Sequence, residues 1–379
     1  MWFEVLAFVL AAETLYLSYL FIKSRLNRKQ EEFARVSEAM EALEREKKRE
    51  QTWPPYPNTW YALIESKDLQ KGQVKSVYAV GCELVVWRKS DGTPVVLDAY
   101  CAHLGANLAS GECKVIDDCV RCPFHHWRYD STGKCVDIPY TSKPIPSNAK
   151  VHSWPVTEWA GRIWFYYHHE RKQEPEFELP RDLDDDLKGM RPAGGGQVWM
   201  KSNLMEPLEN CSDPVHFKTI HGHPSVPFLS KHLTLDHTIT CKERGFVVEF
   251  TDMPVLKLFD RTLPFGISDY VNVHVTFIGP SIAYFRFHTP DKGTAYMVKS
   301  LTPVAPLRVK SLDLFWMDPR MSWFFGFFLK KQAFNGFMED MPIWNYKRGV
   351  SKPLVVQGDG KIMKRRRWLR QFYPPEINW

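Results

Sequence analysis

The pattern of hydrophobic and polar residues differs from one part of the chain to the next, and the chain begins with an apolar run. From Trp2 to Ile22, 17 of 21 residues are apolar, close to the roughly 20 needed to cross a bilayer core. A cluster of Lys and Arg residues follows this run. The positive-inside rule therefore predicts that the rest of the chain lies in the cytoplasm. The pattern predicts a single-pass membrane anchor over residues 1–23. A helix lying flat on the membrane, favoured by Glu4 and Glu13, and a cleaved signal peptide are the alternatives.

The next zone, residues 24–52, is charged, with eight basic and seven acidic side chains. Apolar residues recur at the seven-residue spacing of a coiled coil, as at Leu26, Phe33 and Met40, but over fewer than three heptads. The pattern predicts a juxtamembrane helix and leaves open whether it is solvated or forms a short coiled coil. Prolines in residues 53–57 then end any helix and mark a domain boundary.

Beyond this boundary, apolar and polar residues alternate as in β-strands. The alternation predicts strands at 73–80, 83–88, 94–99, 246–250, 270–277 and 281–288. Turn dipeptides separate the first three runs, which indicates a small antiparallel β domain. The glycine run Gly194–Gly196 is predicted to be a loop, since no phosphate or dinucleotide fingerprint accompanies it.

Length, composition and charge narrow the function classes. A chain of 379 residues with 44% hydrophobic and 25% charged residues is long enough for two folded domains. The net charge of +6 equals the six Lys and Arg residues between positions 361 and 370, so no domain carries an extended basic face. Nucleic-acid binding is therefore not predicted. Eight cysteines in a cytoplasmic chain indicate metal ligands or core thiols rather than disulfides.

Two short motifs form the first candidate metal centre. Cys101 and His103 lie in one loop, and Cys122 and His125 follow after eighteen residues in a second loop. A zinc finger keeps its cysteines in one loop and its histidines on one helix. Loops that each supply one thiolate and one imidazole suit a [2Fe–2S] cluster in which one iron takes both cysteines and the other both histidines.

These loops resemble those of Rieske proteins. The matching positions include Gly105, Gly111, Trp127, Tyr129 and Gly133. Rieske proteins of respiratory and photosynthetic chains usually join the two loops by a disulfide, but this chain has Ala106 and Phe124 at those positions. The resemblance therefore points to the Rieske domains of oxygenases.

A second candidate centre contains His216 and His221, with Asp213 before them. Residues five apart on a helix point in directions that differ by roughly 140°, so both imidazoles reach one ion only where the helix is partly unwound. Two histidines and one carboxylate with open positions form the facial triad of non-haem iron oxygenases. This set needs one more acid from elsewhere in the chain.

Residues 337–347 resemble the C-terminal ligand segment of Rieske oxygenases, with Asp340 at the ligand position and Glu339 as its rival. In that family the acid before the first histidine, here Asp213, is not a ligand. It joins the iron-bound histidine to a cluster histidine of the adjacent subunit, which implies a head-to-tail homotrimer. Asn210 is expected near the iron, without an assigned role.

The resemblance to Rieske non-haem iron oxygenases covers residues 53 to about 375. It implies an α+β fold. An antiparallel β Rieske domain, residues 53–170, precedes a helix-grip catalytic domain, residues 171–379, with a curved antiparallel sheet, helices and an apolar pocket.

The implied activity is that of a terminal oxygenase. Oxidising a C–H bond with O₂ takes two external electrons, and no flavin or nicotinamide site is visible, so a separate NAD(P)H reductase or ferredoxin must supply them. The anchor and motif segments together resemble Neverland-type cholesterol 7-desaturases of animals and, more distantly, bacterial ketosteroid hydroxylases. That resemblance implies desaturation of cholesterol to 7-dehydrocholesterol in steroid hormone synthesis, at the endoplasmic reticulum membrane. A steroid hydroxylase and a non-catalytic Rieske electron-transfer protein are the alternatives.

One aromatic-rich segment, residues 321–331, has two interpretations. It predicts a buried helix of the catalytic domain, because aromatic residues dominate cores. The alternative is a membrane-facing lip for sterol entry, assisted by the basic tail at residues 361–370.

Overall fold

The computed structural model describes residues 55–210, 212–222, 233–258, 261–262, 272–289, 292–347, 349–350, 352–359 and 361–376. The predicted anchor at 1–23 and the predicted juxtamembrane helix at 24–52 lie outside these residues. Within them, no helix has both the length and the apolar character that crossing a bilayer requires.

The first region consists of three small antiparallel sheets. Its strands are β1 (Thr59–Glu65), β2 (Val74–Ala79), β3 (Cys82–Arg88), β4 (Pro94–Asp98), β5 (Lys114–Ile116), β6 (Cys119–Arg121), β7 (Arg128–Tyr129), β8 (Cys135–Asp137), β9 (Val156–Trp159) and β10 (Arg162–Tyr167). The sheet orders are β1-β10-β9, β2-β3-β4 and β5-β6-β7-β8. The three strands predicted between residues 73 and 99 are confirmed as β2, β3 and β4. A 3₁₀ turn, Ser66–Asp68, follows β1.

The second region contains one eight-stranded sheet and the described helices. Its strands are β11 (Arg191–Met200), β12 (Leu233–Arg244), β13 (Val247–Leu258), β14 (Arg261–Thr262), β15 (Asn272–Ile278), β16 (Ile282–Thr289), β17 (Gly293–Ala305) and β18 (Arg308–Met317). They are antiparallel in the order β11-β18-β17-β16-β15-β13-β12, with β14 on β13. The helices are α1 (Asp182–Leu187), α2 (Met205–Asn210), α3 (Pro214–Ile220), α4 (Trp323–Tyr346) and α5 (Ile362–Arg370).

Strand β17 joins the two regions because both of its faces are buried. On the outer face, the Thr302 hydroxyl donates to the Ala62 carbonyl of β1 at 3.0 Å, and the Val80 amide donates to the Pro303 carbonyl at 2.7 Å. On the inner face, Lys299 and Leu301 line a cavity beneath α4. The first region thus packs on the outer face of the sheet, and the candidate iron site lies on the inner face.

The glycine run Gly194–Gly196 lies within β11, so the prediction of a loop is wrong. A Cβ atom on Gly195 would lie 2.1 Å from the Asp313 carbonyl oxygen of β18, closer than any side chain permits. Gly194 has a φ of +74°, and the pairing register shifts between Pro192 and Gly195. The glycines therefore permit a bulged strand to pair closely, a use of glycine that resembles a loop in sequence.

Helix α4 confirms the predicted helix after residue 321, but not the burial of its first aromatic residues. Ser322 caps its N-terminus by accepting the Phe325 amide at 3.2 Å. Gly326 lets the helix approach β18, since a Cβ there would overlap the Met317 side chain. Trp323 and Phe324 are 67% and 74% exposed, so the buried interpretation is wrong for these side chains.

The basic run at 361–370 is largely α5 rather than a solvated tail. Arg365 is 1% exposed, and its Nε donates to the Ser212 hydroxyl at 3.0 Å. Arg366 is 9% exposed and forms a two-point ion pair with Glu209 of α2. Arg366 therefore holds α2 in place and Arg365 holds the residue Ser212 after it, so these two side chains do not form part of a basic tail that could assist a membrane-facing lip.

Candidate active site

The four predicted cluster residues lie on two neighbouring loops of the first region. Cys101 and His103 follow β4, whereas Cys122 and His125 lie between β6 and β7. Both cysteines are buried and within hydrogen-bonding reach of each other. Both histidines are partly exposed, with ring centroids 4.8 Å apart. The loops thus present the thiols on the inner side and the imidazoles on the outer side.

The donors of these loops fit a two-iron cluster better than a single ion. A tetrahedral zinc would hold its sulfur and nitrogen donors within about 4 Å of one another. No three of these donors meet within 4.8 Å of one another. His103 Nδ1 is buried without a hydrogen-bond partner among the described residues, a position that a metal bond satisfies. Trp127 stacks on the His103 ring, with centroids 4.7 Å apart, and fixes its orientation.

Tyr129 supplies a contact to the cluster site that the sequence pattern does not assign. Its hydroxyl lies 3.1 Å from Cys101 Sγ and accepts the Ala102 amide at 3.1 Å. Burial raises the pKa of the hydroxyl, so it remains protonated. Because a thiolate ligand only accepts, Tyr129 would donate to the sulfur, and such hydrogen bonds tune cluster potentials.

The second candidate centre forms where α3 ends beneath α4. His216 lies within α3, and His221 follows its last residue with φ −99° and ψ 7°, outside helical geometry. This break brings the two rings to a centroid distance of 5.4 Å at an angle of 81°. Donor atoms of His216, His221 and Asp340 all lie within 4.8 Å of one another. The structure thus brings together the three predicted ligands of the mononuclear iron.

Hydrogen bonds influence the protonation of both histidines. Nδ1 of His216 donates to the Asp213 carbonyl oxygen, which leaves Nε2 for a metal. Burial lowers the pKa of His216, which keeps its ring neutral. Burial also acts to lower the pKa of His221, but its hydrogen bonds to Asp340 and then Glu339 outweigh burial and raise it. Because its pKa is raised, a proton competes with iron for His221 up to a higher pH than for an ordinary histidine.

Glu339 and Asp340 contact different nitrogen atoms of the His221 ring. Glu339 Oε2 lies 3.0 Å from His221 Nδ1, whereas Asp340 Oδ2 lies 3.2 Å from Nε2. Asp340 is buried, and its Oδ1 has no hydrogen-bond partner among the described residues. The donor set fits iron with Asp340 as the carboxylate ligand, while Glu339 orients His221 from behind.

Asp213 and Asn210 flank the start of α3. Asp213 caps this helix by accepting the Val215 amide at 2.9 Å and the His216 amide at 3.4 Å. Its side chain remains 32% exposed and faces the protein surface beside the His216 ring. Asn210 ends α2 and lines the cavity that also contains the three ligands. Asp213 is thus accessible from outside, whereas Asn210 faces the substrate space.

A second histidine group, formed by His168, His169 and Glu170, has donors within 4.8 Å but is not arranged for a metal. His168 Nδ1 accepts the Glu170 amide at 3.1 Å, and its Nε2 lies 3.2 Å from Glu176. Both ring nitrogens are therefore engaged in hydrogen bonds that hold the loop after β10.

A largely apolar cavity opens beside the three ligands, between the sheet and α4. It has a volume of about 260 Å³ and is open to solvent. Six phenylalanines line it: Phe217, Phe250, Phe277, Phe285, Phe287 and Phe337. Its few other polar lining residues are Asn210, Asp252, Lys299 and Gln332. Such a lining suits an apolar ligand with few polar groups.

Lys299 is a cavity residue that sequence reasoning missed, because a lysine in an alternating strand is usually exposed. Its ammonium donates to Asp313 Oδ2 at 2.7 Å and lies 3.5 Å from the Phe337 ring centroid. Asp313 also accepts the Ser311 hydroxyl at 2.9 Å. This buried ion pair holds the cavity wall formed by β17 and β18.

Comparisons with known proteins match both regions. The model of the Rieske [2Fe-2S] domain matches residues 59–155, and that of the 3-ketosteroid 9alpha-hydroxylase C-terminal domain matches residues 166–373. The chain is 34% identical to cholesterol 7-desaturase nvd 1 of Ciona intestinalis over 84% of this chain and 69% of that protein. It is 32% identical to cholesterol 7-desaturase nvd of Xenopus laevis over 84% of this chain and 72% of that protein.

The fold is similar to that of NdmA from Pseudomonas putida CBB5, solved with caffeine. The two share 22% identity with a TM-score of 0.62, over 82% of this chain and 89% of the other. The two domain matches lie in one chain and in the same order as the two sites. The first match contains the cluster loops, and the second contains the three predicted iron ligands. They imply a [2Fe–2S] cluster at the first site, a mononuclear iron at the second and O₂ as co-substrate. The chain belongs to the Rieske non-haem iron oxygenase family.

Proposed function

We propose that this chain is a terminal oxygenase component that oxidises a sterol, with desaturation of cholesterol at C7–C8 as its reaction. The observation that carries the proposal is the phenylalanine-lined cavity beside His216, His221 and Asp340, in a chain 34% identical to a cholesterol 7-desaturase. In this reaction the sterol loses two hydrogen atoms. O₂ takes these atoms, two electrons and two protons, and leaves as two water molecules.

The cofactors supply electron transfer and O₂ activation, while the chain positions the reactants. His216, His221 and Asp340 would hold the iron, and Glu339 keeps His221 oriented through Nδ1. The cavity removes the sterol rings from water and holds them beside the ligands. Electrons come from a separate NAD(P)H reductase or ferredoxin.

The proposed assembly is a head-to-tail homotrimer in which Asp213 joins the two metal centres across subunits. The partial exposure of Asp213 beside the His216 ring supports this role, because its carboxylate can reach a neighbouring chain. The partly exposed His103 and His125 offer the complementary contact on the cluster loops.

The proposed location is the endoplasmic reticulum membrane, with residues 1–23 as a single-pass anchor, 24–52 as a cytoplasmic connection, 53–170 as the Rieske domain and 171–379 as the catalytic domain. The apolar run and the basic residues after it support the orientation.

The test combines metal analysis with product analysis. Anaerobically purified full-length protein should contain three irons and two acid-labile sulfides per chain. With a reductase, O₂ and cholesterol it should form a product two hydrogen atoms lighter. A product one oxygen atom heavier would establish the hydroxylase alternative, which the match to a ketosteroid hydroxylase domain favours. If the protein contains all of this iron and sulfide but oxidises no sterol with any electron donor, the electron-transfer alternative is the one that remains.

A further inference from the structure

The first two turns of α4 carry an exposed cluster, which we name the aromatic tip. It consists of Trp323, Phe324, Phe327 and Phe328, which are 67%, 74%, 47% and 41% exposed. Their spacing places them on one face of the helix, and the Trp323 and Phe327 rings stack with centroids 5.5 Å apart. The opposite face of these turns is buried through Gly326 and Leu329. The tip is thus the outward side of a firmly packed helix.

The exposed apolar area of the tip is large for a surface that contacts only water. Each aromatic side chain offers about 150–250 Å², so these exposures leave roughly 450 Å² of aromatic surface in one patch. A contiguous patch of that size on a soluble surface usually marks an interaction site. Rigid rings of this kind partition well into the interfacial layer of a bilayer.

Cations border the tip where lipid headgroups would lie. Lys331 is exposed one turn beyond the tip, and Lys292 lies with its ammonium 4.4 Å from the Phe325 ring centroid. Arg320, just before the helix, pairs with Asp318 but keeps 75% of its side chain exposed. The border is therefore net basic, which complements an anionic cytoplasmic leaflet.

The cavity lies further along the same helix, on the face opposite to the tip. Gln332, Ala333, Gly336, Phe337 and Asp340 of α4 line the cavity, and at about 100° per residue they lie on the same side of the helix as the buried Gly326 and Leu329. At 1.5 Å per residue, Phe328 is about 6 Å from Gln332 and about 18 Å from the ligand Asp340 along the helix axis. A bilayer that contacts the tip would therefore lie within one helix length of the cavity.

We propose that the aromatic tip inserts into the interfacial layer of an anionic lipid bilayer and holds the catalytic region at the membrane surface. This contact is separate from the predicted anchor, because it uses described residues of the catalytic region. It rests on the proposed function only in taking a sterol as the delivered substrate. The competing occupant is a second copy of the chain.

The experiment uses full-length protein in nanodiscs of phosphatidylcholine with or without phosphatidylserine, so the anchor is present throughout. Hydrogen exchange of residues 322–331 should slow in the lipid samples, and more with phosphatidylserine, relative to protein in detergent. Exchange that slows with protein concentration in the absence of lipid would assign the tip to a second copy and overturn the proposal. Unchanged exchange in lipid would also overturn it.

A paired activity measurement separates membrane delivery from catalysis. In F324S/F328S, kcat/KM for cholesterol presented in vesicles should fall about tenfold or more, while the value for cyclodextrin-bound cholesterol should stay unchanged. Leu354→Ser with Val356→Ser is the matched control, since both side chains are exposed, at 95% and 63%, and lie outside α4. Equal losses in both formats would show that the tip serves the fold or the cavity. Lipid-dependent protection without any sterol turnover would refute the proposed function and leave the membrane contact standing.

Discussion

Replacing Lys299 by Met removes the cation from a buried pair while keeping the length of the side chain. Lys299 and Asp313 are 2.7 Å apart, with side chains only 5% and 7% exposed. The substitution leaves the Asp313 carboxylate buried with the Ser311 hydroxyl as its hydrogen-bond donor and Arg162 as a nearby charge. The variant therefore tests how much the cavity wall depends on charge compensation.

The expected cost follows from the burial of this pair. Breaking a buried ion pair by removing one partner costs about 3–5 kcal/mol, because the remaining charge is uncompensated. For a domain of this size, such a loss lowers the Tm by roughly 6–20 °C. Arg162 offsets part of the loss, so the lower half of this range is expected. Replacing Asp313 by Asn in the same chain removes the orphaned charge and should recover most of the loss.

Thermal unfolding of the metal-loaded protein, followed by circular dichroism, gives the comparison. Lys188→Met is the matched control, because Lys188 and Asp185 form an ion pair of 2.6 Å whose side chains are 78% and 70% exposed. The Tm of this control should not change. If K299M unfolds at the wild-type temperature, or if adding D313N lowers the Tm further, the pair does not support the cavity wall in the way described.

Four further outcomes follow from the two metal sites. His216→Ala should lose the mononuclear iron and sterol turnover but keep the visible spectrum of the cluster; loss of both would contradict separate ligand sets. Asp213→Ala should keep both metals but slow single-turnover reoxidation of the cluster, and a wild-type rate would reduce Asp213 to a helix cap. Tyr129→Phe should lower the cluster reduction potential by roughly 50–100 mV, because a hydrogen bond that stabilises the reduced cluster is lost; voltammetry measures this shift, and an unchanged potential would disprove the contact. Iron affinity of the iron-free triad should rise as pH increases through the raised pKa of His221, since protonated His221 cannot bind metal; a flat titration would contradict this.

Sequence spacing was sufficient wherever the chemistry is local. The mixed Cys101 and His103 loop favours a [2Fe–2S] cluster over a zinc-finger arrangement from spacing alone. The five-residue separation of His216 and His221 requires a break in the helix, and the structure has that break at His221. These features need only short stretches of chain, so local geometry decides them.

Features that depend on contacts between distant segments could not be read in this way. Glu339 and Asp340 are adjacent and chemically alike, and only the side of His221 that each one faces separates their roles. Arg366 looks like part of a solvated charge run until Glu209, 157 residues earlier, is placed beside it. Lys299 resembles an exposed strand residue until Asp313 and α4 cover it.

The separation between the iron ligands also sets a time order during synthesis. His221 and Asp340 are 119 residues apart, so a ribosome adding about 5–20 residues per second makes the histidines roughly 6–24 s before the carboxylate. Throughout that interval the nascent chain offers two imidazoles without the acid that completes the triad. Iron can acquire its full ligand set only after α4 has left the ribosome and folded over the sheet, which makes metal loading a late event in the life of each chain.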